Sequence, residues 1–157
     1  MTKLGPIPEG ETQYWITSVR PDEHRTDEES IRNSVGRERE WGLGGAKAPG
    51  RKSMKPGDWI CFYATKLGVV AHARIASSPR QTSHPAMRDP TEGEWRFCLD
   101  SVKLYLDRPV VIDDALRDRL EAFQGRDPSP NWGWFVHGSR RVTRHDFHVL
   151  SGQALGE

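Results

Sequence analysis

Residues 41–63 read WGLGGAKAPGRKSMKPGDWICFY, and the remainder of the chain is best understood by working outward from them. The second half is the clearer. Pro56 and Gly57 sit inside Lys55-Pro56-Gly57-Asp58, where proline presets one backbone angle and glycine admits a positive one, so the chain turns there. The turn feeds Trp59 to Tyr63, an apolar and aromatic run that predicts a strand. The first half differs in kind. Trp41 is followed by three glycines within four residues, and Lys and Arg are the only charged residues up to Lys55. Side chains this small or this charged do not fill a core. They suit the rim of a pocket for a flat, anionic ligand, of which a nucleotide is the obvious example.

Toward the N-terminus, Tyr14 to Val19 is β-branched and aromatic and predicts a first strand, ended by Arg20-Pro21. Thr26 and Glu29 have capping-box spacing, which predicts a helix over 27–40 with Ile31 and Val35 turned inward and Gly36 weakening its second half. That helix delivers Trp41. Beyond Tyr63, a strand is expected over 68–76. Val70, His72, Arg74 and Ala76 share one face of it, and Val69, Ala71, Ala73 and Ile75 the other. Residues 77–94 read as a long loop with three prolines. A strand over 95–106 alternates toward its end (Val102, Leu104, Leu106). Asp113 predicts an N-cap ahead of Leu116, Leu120 and Phe123. After a loop at 125–130, Asn131 to Val136 reads as a strand, and Thr143 caps a last helix with Asp146 at its third position and Phe147 and Leu150 inward. This order lacks a βαβα alternation. It predicts an α+β fold, a small, partly open, mainly antiparallel barrel of five or six strands with flanking helices. One domain is expected over 13–150, with a loose leader at 1–12 and a tail at 151–157.

Net charge is +1, so any attraction to nucleic acid is local. Residues 32–55 carry seven basic and two acidic side chains, a balance of +5. Arg140, Arg141 and Arg144 form a second cluster, near His137, His145 and His148. These are either phosphate contacts or a solvated surface. Trp41 is either a stacking platform or a ring folded onto the barrel. Trp95 is most simply a core strand residue and, failing that, a second wall beside Trp41. Trp15 and Trp59 read as core. No run is long and apolar enough for a membrane span. Cys61 and Cys98 read as buried thiols in a cytoplasmic setting. No nucleophile elbow, Walker loop or zinc helix is present, and His145 and His148 fit exposed helix positions better than metal ligation. The chain is therefore expected to be no enzyme and to use no metal or cofactor.

Tyr14-Trp15-Ile16, Trp41 after a helix, Met54-Lys55-Pro56-Gly57-Asp58 before Phe62-Tyr63, Val69-Val70-Ala71-His72-Ala73, and Asn131-Trp132-Gly133 with Arg141-Val142-Thr143-Arg144-His145-Asp146-Phe147 together resemble the EVE domain, a PUA-like family related to YTH readers. The resemblance spans about 14–150. It implies a flanked barrel with a pocket for one modified base, most simply a 5-substituted cytosine in DNA, flipped out of the helix. An N6-methyladenine-like base in RNA and a free nucleotide-like ligand are the alternatives. By the same resemblance Trp41 matches a cage tryptophan, and Ser18 and Arg20 match pocket positions. The base-binding residues expected are then Trp41, Thr17, Ser18, Arg20, Gly42, Leu43 and Trp95. The phosphate contacts expected are Lys47, Arg51, Lys52, Arg140 and Arg141. Leu43-Gly44-Gly45 stands where the family commonly carries an arginine–asparagine pair. A separate nuclease or other effector is the implied partner.

Overall fold

The computed structural model describes residues 12–19, 27–44, 53–65, 67–82, 94–125 and 132–152. Strand β1 (Tyr14–Val19) leads to helix α1 (Asp27–Ser30), which continues with wider, π-type spacing through Ile31–Glu38. Strands β2 (Glu40–Gly44), β3 (Trp59–Ala64), β4 (Gly68–Ile75), β5 (Arg80–Thr82) and β6 (Glu94–Leu104) follow. Then come α2 (Asp114–Asp118), two 3-10 turns (Glu121–Phe123 and Gly133–Val136), β7 (Ser139–Val142) and α3 (Arg144–Leu150). The strand order is β2-β6-β4-β3-β1-β7, with β5 also paired to β6. Every pairing is antiparallel except β1 with β3. The sheet curls into a half-barrel, so the α+β, PUA-like architecture expected from the sequence is the one found.

Period-two alternation sorts the side chains of β1 and β3 between two cores. Trp15, Val19, Ile60, Phe62 and Ala64 join Ile31 and Val35 on one face, called here the α1 face. Ile16 and Cys61 join Leu116, Phe147 and Leu150 on the other, the α3 face, with Tyr14, Trp59 and Tyr63 packed against them. Strict alternation over 68–76 fails at one point. The β3–β4 register shifts between Phe62 and Tyr63, so Val69 packs on the α3 face while Val70 and Ala71 both serve the α1 face. An inserted residue is the physical reason, because a bulge moves every later side chain by one phase. β6 does the same: Phe97 and Leu99 precede, and Val102 and Leu104 follow, a second shift at Ser101, whose φ is 50°.

The Lys55–Asp58 turn is anchored harder than a turn requires. Gly57 has φ +96°, and the Asp58 N–H donates to the Lys55 carbonyl at 3.1 Å. The Asp58 side chain is fully buried. Its carboxylate accepts from Gln13 N (3.0 Å), Gln13 Nε2 (2.9 Å), Trp15 Nε1 (3.2 Å) and Lys55 N (3.1 Å). One side chain thus ties the turn to the start of β1. Gly68 is needed for a different reason: at φ +125°, a Cβ there would lie 2.3 Å from the Val110 carbonyl oxygen, which accepts from Val69 N.

Both expected caps are present. Asp113 accepts from Leu116 N, and Thr143 Oγ1 from Asp146 N. Three sequence expectations need correction. Trp41 lies in a strand, β2, and its ring is in the α1-face core, because antiparallel pairing sets it opposite Phe97. The loop expected over 77–94 contains β5. Gly133–Val136 is a 3-10 turn closed by Phe135 N to the Trp132 carbonyl, with Asn131 outside the described residues. A strand would send alternate residues to opposite sides, whereas Trp132, Phe135 and Trp134 all pack on the α3 face. β7, next along the chain, was not read from the sequence. Ser151, assigned to the tail, is buried and donates its N–H to Phe147 O at the end of α3.

Candidate nucleic-acid interface

The expected base-binding residues do not share one face of the sheet. Trp41 lies on the α1 face, 9% exposed, its ring edge-to-face with Phe62 at 4.9 Å between centroids. Thr17 follows the same parity in β1. It is buried, and its hydroxyl hydrogen-bonds that of Ser139 at 2.8 Å. Gly42 is paired in register with Arg96, and Leu43 with Trp95, one step farther along β2 and β6. Ser18 faces the other way. It lies on the α3 face, where its hydroxyl donates to the Gly138 carbonyl at 3.4 Å. Arg20, Lys47, Arg51 and Lys52 lie outside the described residues.

The two arginines expected to hold phosphates are split by the same alternation. Arg141 pairs with Trp15, and one of its N–H groups donates to Gln13 Oε1 at 3.3 Å. Arg140 pairs with Ile16 and stacks its guanidinium over Trp134, 4.8 Å from the ring centroid. Adjacent residues of a strand cannot form one patch on one face, which is why Arg140 and Arg141 do not become a single basic surface.

The strand beside β2 has a feature that the sequence reading passed over, on the opposite face of the β2–β6 pair from the Trp41 ring. The Arg96 side chain is only 10% exposed and lies 3.6 Å from Glu38 and 4.0 Å from Glu40. A guanidinium is thereby placed next to Gly42, beside the tryptophan strand. The only signal in the sequence was an arginine within an apolar strand, which alternation alone assigns to a solvated edge.

On the α3 face, Ser18 opens onto a hollow of about 510 Å³ at the C-terminal ends of the parallel pair β1–β3. Tyr63, Thr65, Gly133, His137 and Gly138 line it with Ser18. Deeper on that face, His72 Nδ1 is 3.1 Å from the Tyr105 hydroxyl. Burial, and then the Lys103 charge, lower the His72 pKa to about 4. Burial also pushes the Cys61 thiol and the Tyr105 phenol upward, so Cys61 is held as an inaccessible thiol. Glu121, His145 and Asp146 bring their ligand-type atoms within 4.8 Å of one another. That knot is used for capping: Asp146 accepts from Glu121 N at 2.7 Å and Ala122 N at 3.0 Å, and His145 Nε2 lies 2.8 Å from the Arg119 carbonyl. Among the described residues, no helix is long and apolar enough to cross a membrane.

A curled, mainly antiparallel half-barrel flanked by helices, with a tryptophan strand closing one core, defines a PUA-like domain. The EVE domain family matches residues 13–150, and the chain belongs to that family. Two solved structures share the fold. A protein from Pseudomonas putida has a TM-score of 0.56 at 18% identity, covering 88% of this chain and 97% of its own. Human THYN1, in complex with DNA containing 5-methylcytosine, has a TM-score of 0.52 at 13% identity, covering 90% of this chain and 96% of its own. A comparison with curated proteins found no match.

Proposed function

We propose that this chain is a non-catalytic reader of a modified base in nucleic acid, a 5-substituted cytosine in DNA, which enters the α1 side of the half-barrel beside Trp41. The observation that carries the reading is the EVE family match across 13–150. The THYN1 complex supports it, because a protein of the same fold there holds DNA with a methylated cytosine. Trp41 is braced by Phe62 and is 9% exposed, so the indole is already ordered before a base arrives. Flipping a base costs a few kcal/mol, and stacking on an aromatic ring returns about 1–3 kcal/mol. The remainder must come from contacts to the base edge and from Lys47, Arg51 and Lys52 on flanking phosphates. A separate nuclease or other effector would act on what the domain binds.

The test is binding of matched oligonucleotides, modified and plain, at fixed salt. Trp41→Ala abolishes the discrimination, and Trp41→Phe keeps part of it, with folding of each checked by circular dichroism. Lys52→Ala weakens both oligonucleotides alike and lowers the salt slope by about one. Equal loss for both oligonucleotides in Trp41→Ala overturns the reading. Competition with matched RNA decides the strand type.

A further inference from the structure

We infer that Glu121, His145 and Asp146 form a binding site for a divalent transition-metal ion of the zinc class, at the junction of the Glu121–Phe123 turn and α3. The inference is independent of the reader proposal. One ligand-type atom from each residue lies within 4.8 Å of the other two. A point therefore exists no more than about 2.8 Å from all three, and zinc binds imidazole nitrogen and carboxylate oxygen at about 2.0–2.2 Å. Side-chain adjustments of less than about an ångström close the difference. The donor set decides the class of ion. An imidazole with two carboxylates suits zinc or cobalt, whereas magnesium and calcium take oxygen ligands.

Each donor is held by a partner of its own. Asp146 is 1% exposed, and its two oxygens accept from Glu121 N at 2.7 Å and Ala122 N at 3.0 Å. A carboxylate oxygen has a second lone pair, so capping does not exhaust it. Thr143 Oγ1, which caps α3, donates to Glu121 Oε1 at 3.3 Å. His145 Nε2 lies 2.8 Å from the Arg119 carbonyl. With the Nε2 proton given to that carbonyl, Nδ1 keeps a lone pair for the ion. Hydrogen-bonded carboxylates and a histidine fixed by a backbone carbonyl are the outer shell that orients metal ligands.

Two features ask for a cation there. Burial raises the Asp146 pKa, and the nearby Glu121 charge raises it further. A divalent ion removes that repulsion. His148 supplies the other. It stands three residues beyond His145, and helical side chains lean toward the N-terminus, over the preceding turn. Its Nδ1 is buried and, among the described residues, makes no hydrogen bond. Three protein ligands leave zinc a fourth position for water, and that water gives the nitrogen a partner. The ion pins the Glu121–Phe123 turn to α3. Phe123 packs on Trp134 and Phe135, 5.0 Å between centroids in each case, so the Gly133–Val136 turn is held from the same point.

The experiment titrates the chelator-treated, 157-residue chain with Zn²⁺ by calorimetry and with Co²⁺ by visible absorption. One equivalent binds, Co²⁺ develops d–d bands, and Zn²⁺ at about a hundredfold above its Kd raises Tm by about 5–11 °C. His145→Ala and Glu121→Gln, both at half-buried positions, weaken Zn²⁺ binding by at least about tenfold, with folding of each checked by circular dichroism. His145→Ala also loses its hydrogen bond to Arg119, so the quantity read is the Tm difference with and without Zn²⁺. That difference shrinks in both variants, whereas a purely structural cluster lowers Tm and leaves it unchanged. His84→Ala keeps wild-type affinity. No binding of Zn²⁺ at one equivalent, wild-type affinity in either ligand variant, or loss of binding in His84→Ala overturns the site. A Tm raised by Mg²⁺ and not by Zn²⁺ overturns it as well.

Discussion

Replacing Asp58 with alanine removes the one acceptor shared by four N–H groups, and the structure shows which of them suffer. Gln13 Nε2 keeps a second partner, the Ser53 carbonyl at 2.7 Å. Lys55 N belongs to a half-buried residue and can turn to water. Gln13 N and Trp15 Nε1 belong to buried residues, 6% and 4% exposed, and are stranded. Each stranded donor costs about 1–3 kcal/mol, so Asp58→Ala loses about 4 kcal/mol. For a chain of this length that lowers Tm by about 8–16 °C. Asp58→Asn is gentler. Its carbonyl oxygen can replace Oδ2, which receives three of the bonds, while its NH₂ meets Gln13 N–H donor to donor. One bond is lost and the others weaken, for about 2 kcal/mol. Urea unfolding followed by tryptophan fluorescence gives both values. The reasoning fails if Asp58→Ala stays within about 1 kcal/mol of wild type, or if Asn costs as much as Ala.

Three further outcomes are expected. His72 has a folded-state pKa of about 4 against an ordinary 6.5, so its neutral form carries stability that is fully present above pH 6.5. That stability is lost as pH falls toward 4, by roughly 3 kcal/mol at most, and a pH–stability profile that keeps its slope in His72→Gln refutes the assignment. Gly68→Ala forces a Cβ against the Val110 carbonyl in a left-handed backbone and costs about 3 kcal/mol or more, with a loss under about 1 kcal/mol in denaturant counting against the contact. Trp41→Ala opens a cavity beside Phe62 and costs about 3–5 kcal/mol of stability, whereas Trp41→Phe costs clearly less; equal costs in calorimetry would show that the ring is not packed as described.

Local chemistry was legible wherever neighbours in sequence are neighbours in space. The Lys55–Asp58 turn, the Asp113 and Thr143 caps, β1 and β3 depend on contacts within a few residues, and all were read correctly. What the Asp58 carboxylate does was not legible, because its partners at Gln13 and Trp15 lie more than forty positions away. β2 was missed for a related reason: a Gly-rich segment has little strand preference of its own and becomes a strand by pairing with β6.

The sequence alone settled the α+β class and the family resemblance, because periodicity, turn chemistry and motif order survive without coordinates. Only the tertiary structure decided which side Trp41, Thr17, Ser18, Arg140 and Arg141 serve. Two bulges reset the alternation of β4 and β6, and a 3-10 turn replaced an expected strand. The pleat placed Ser18 and Arg140 opposite Trp41 and Arg141. Face assignment accumulates every such one-residue shift along the chain, and a shift is set by the pairing partner rather than by the residues that undergo it.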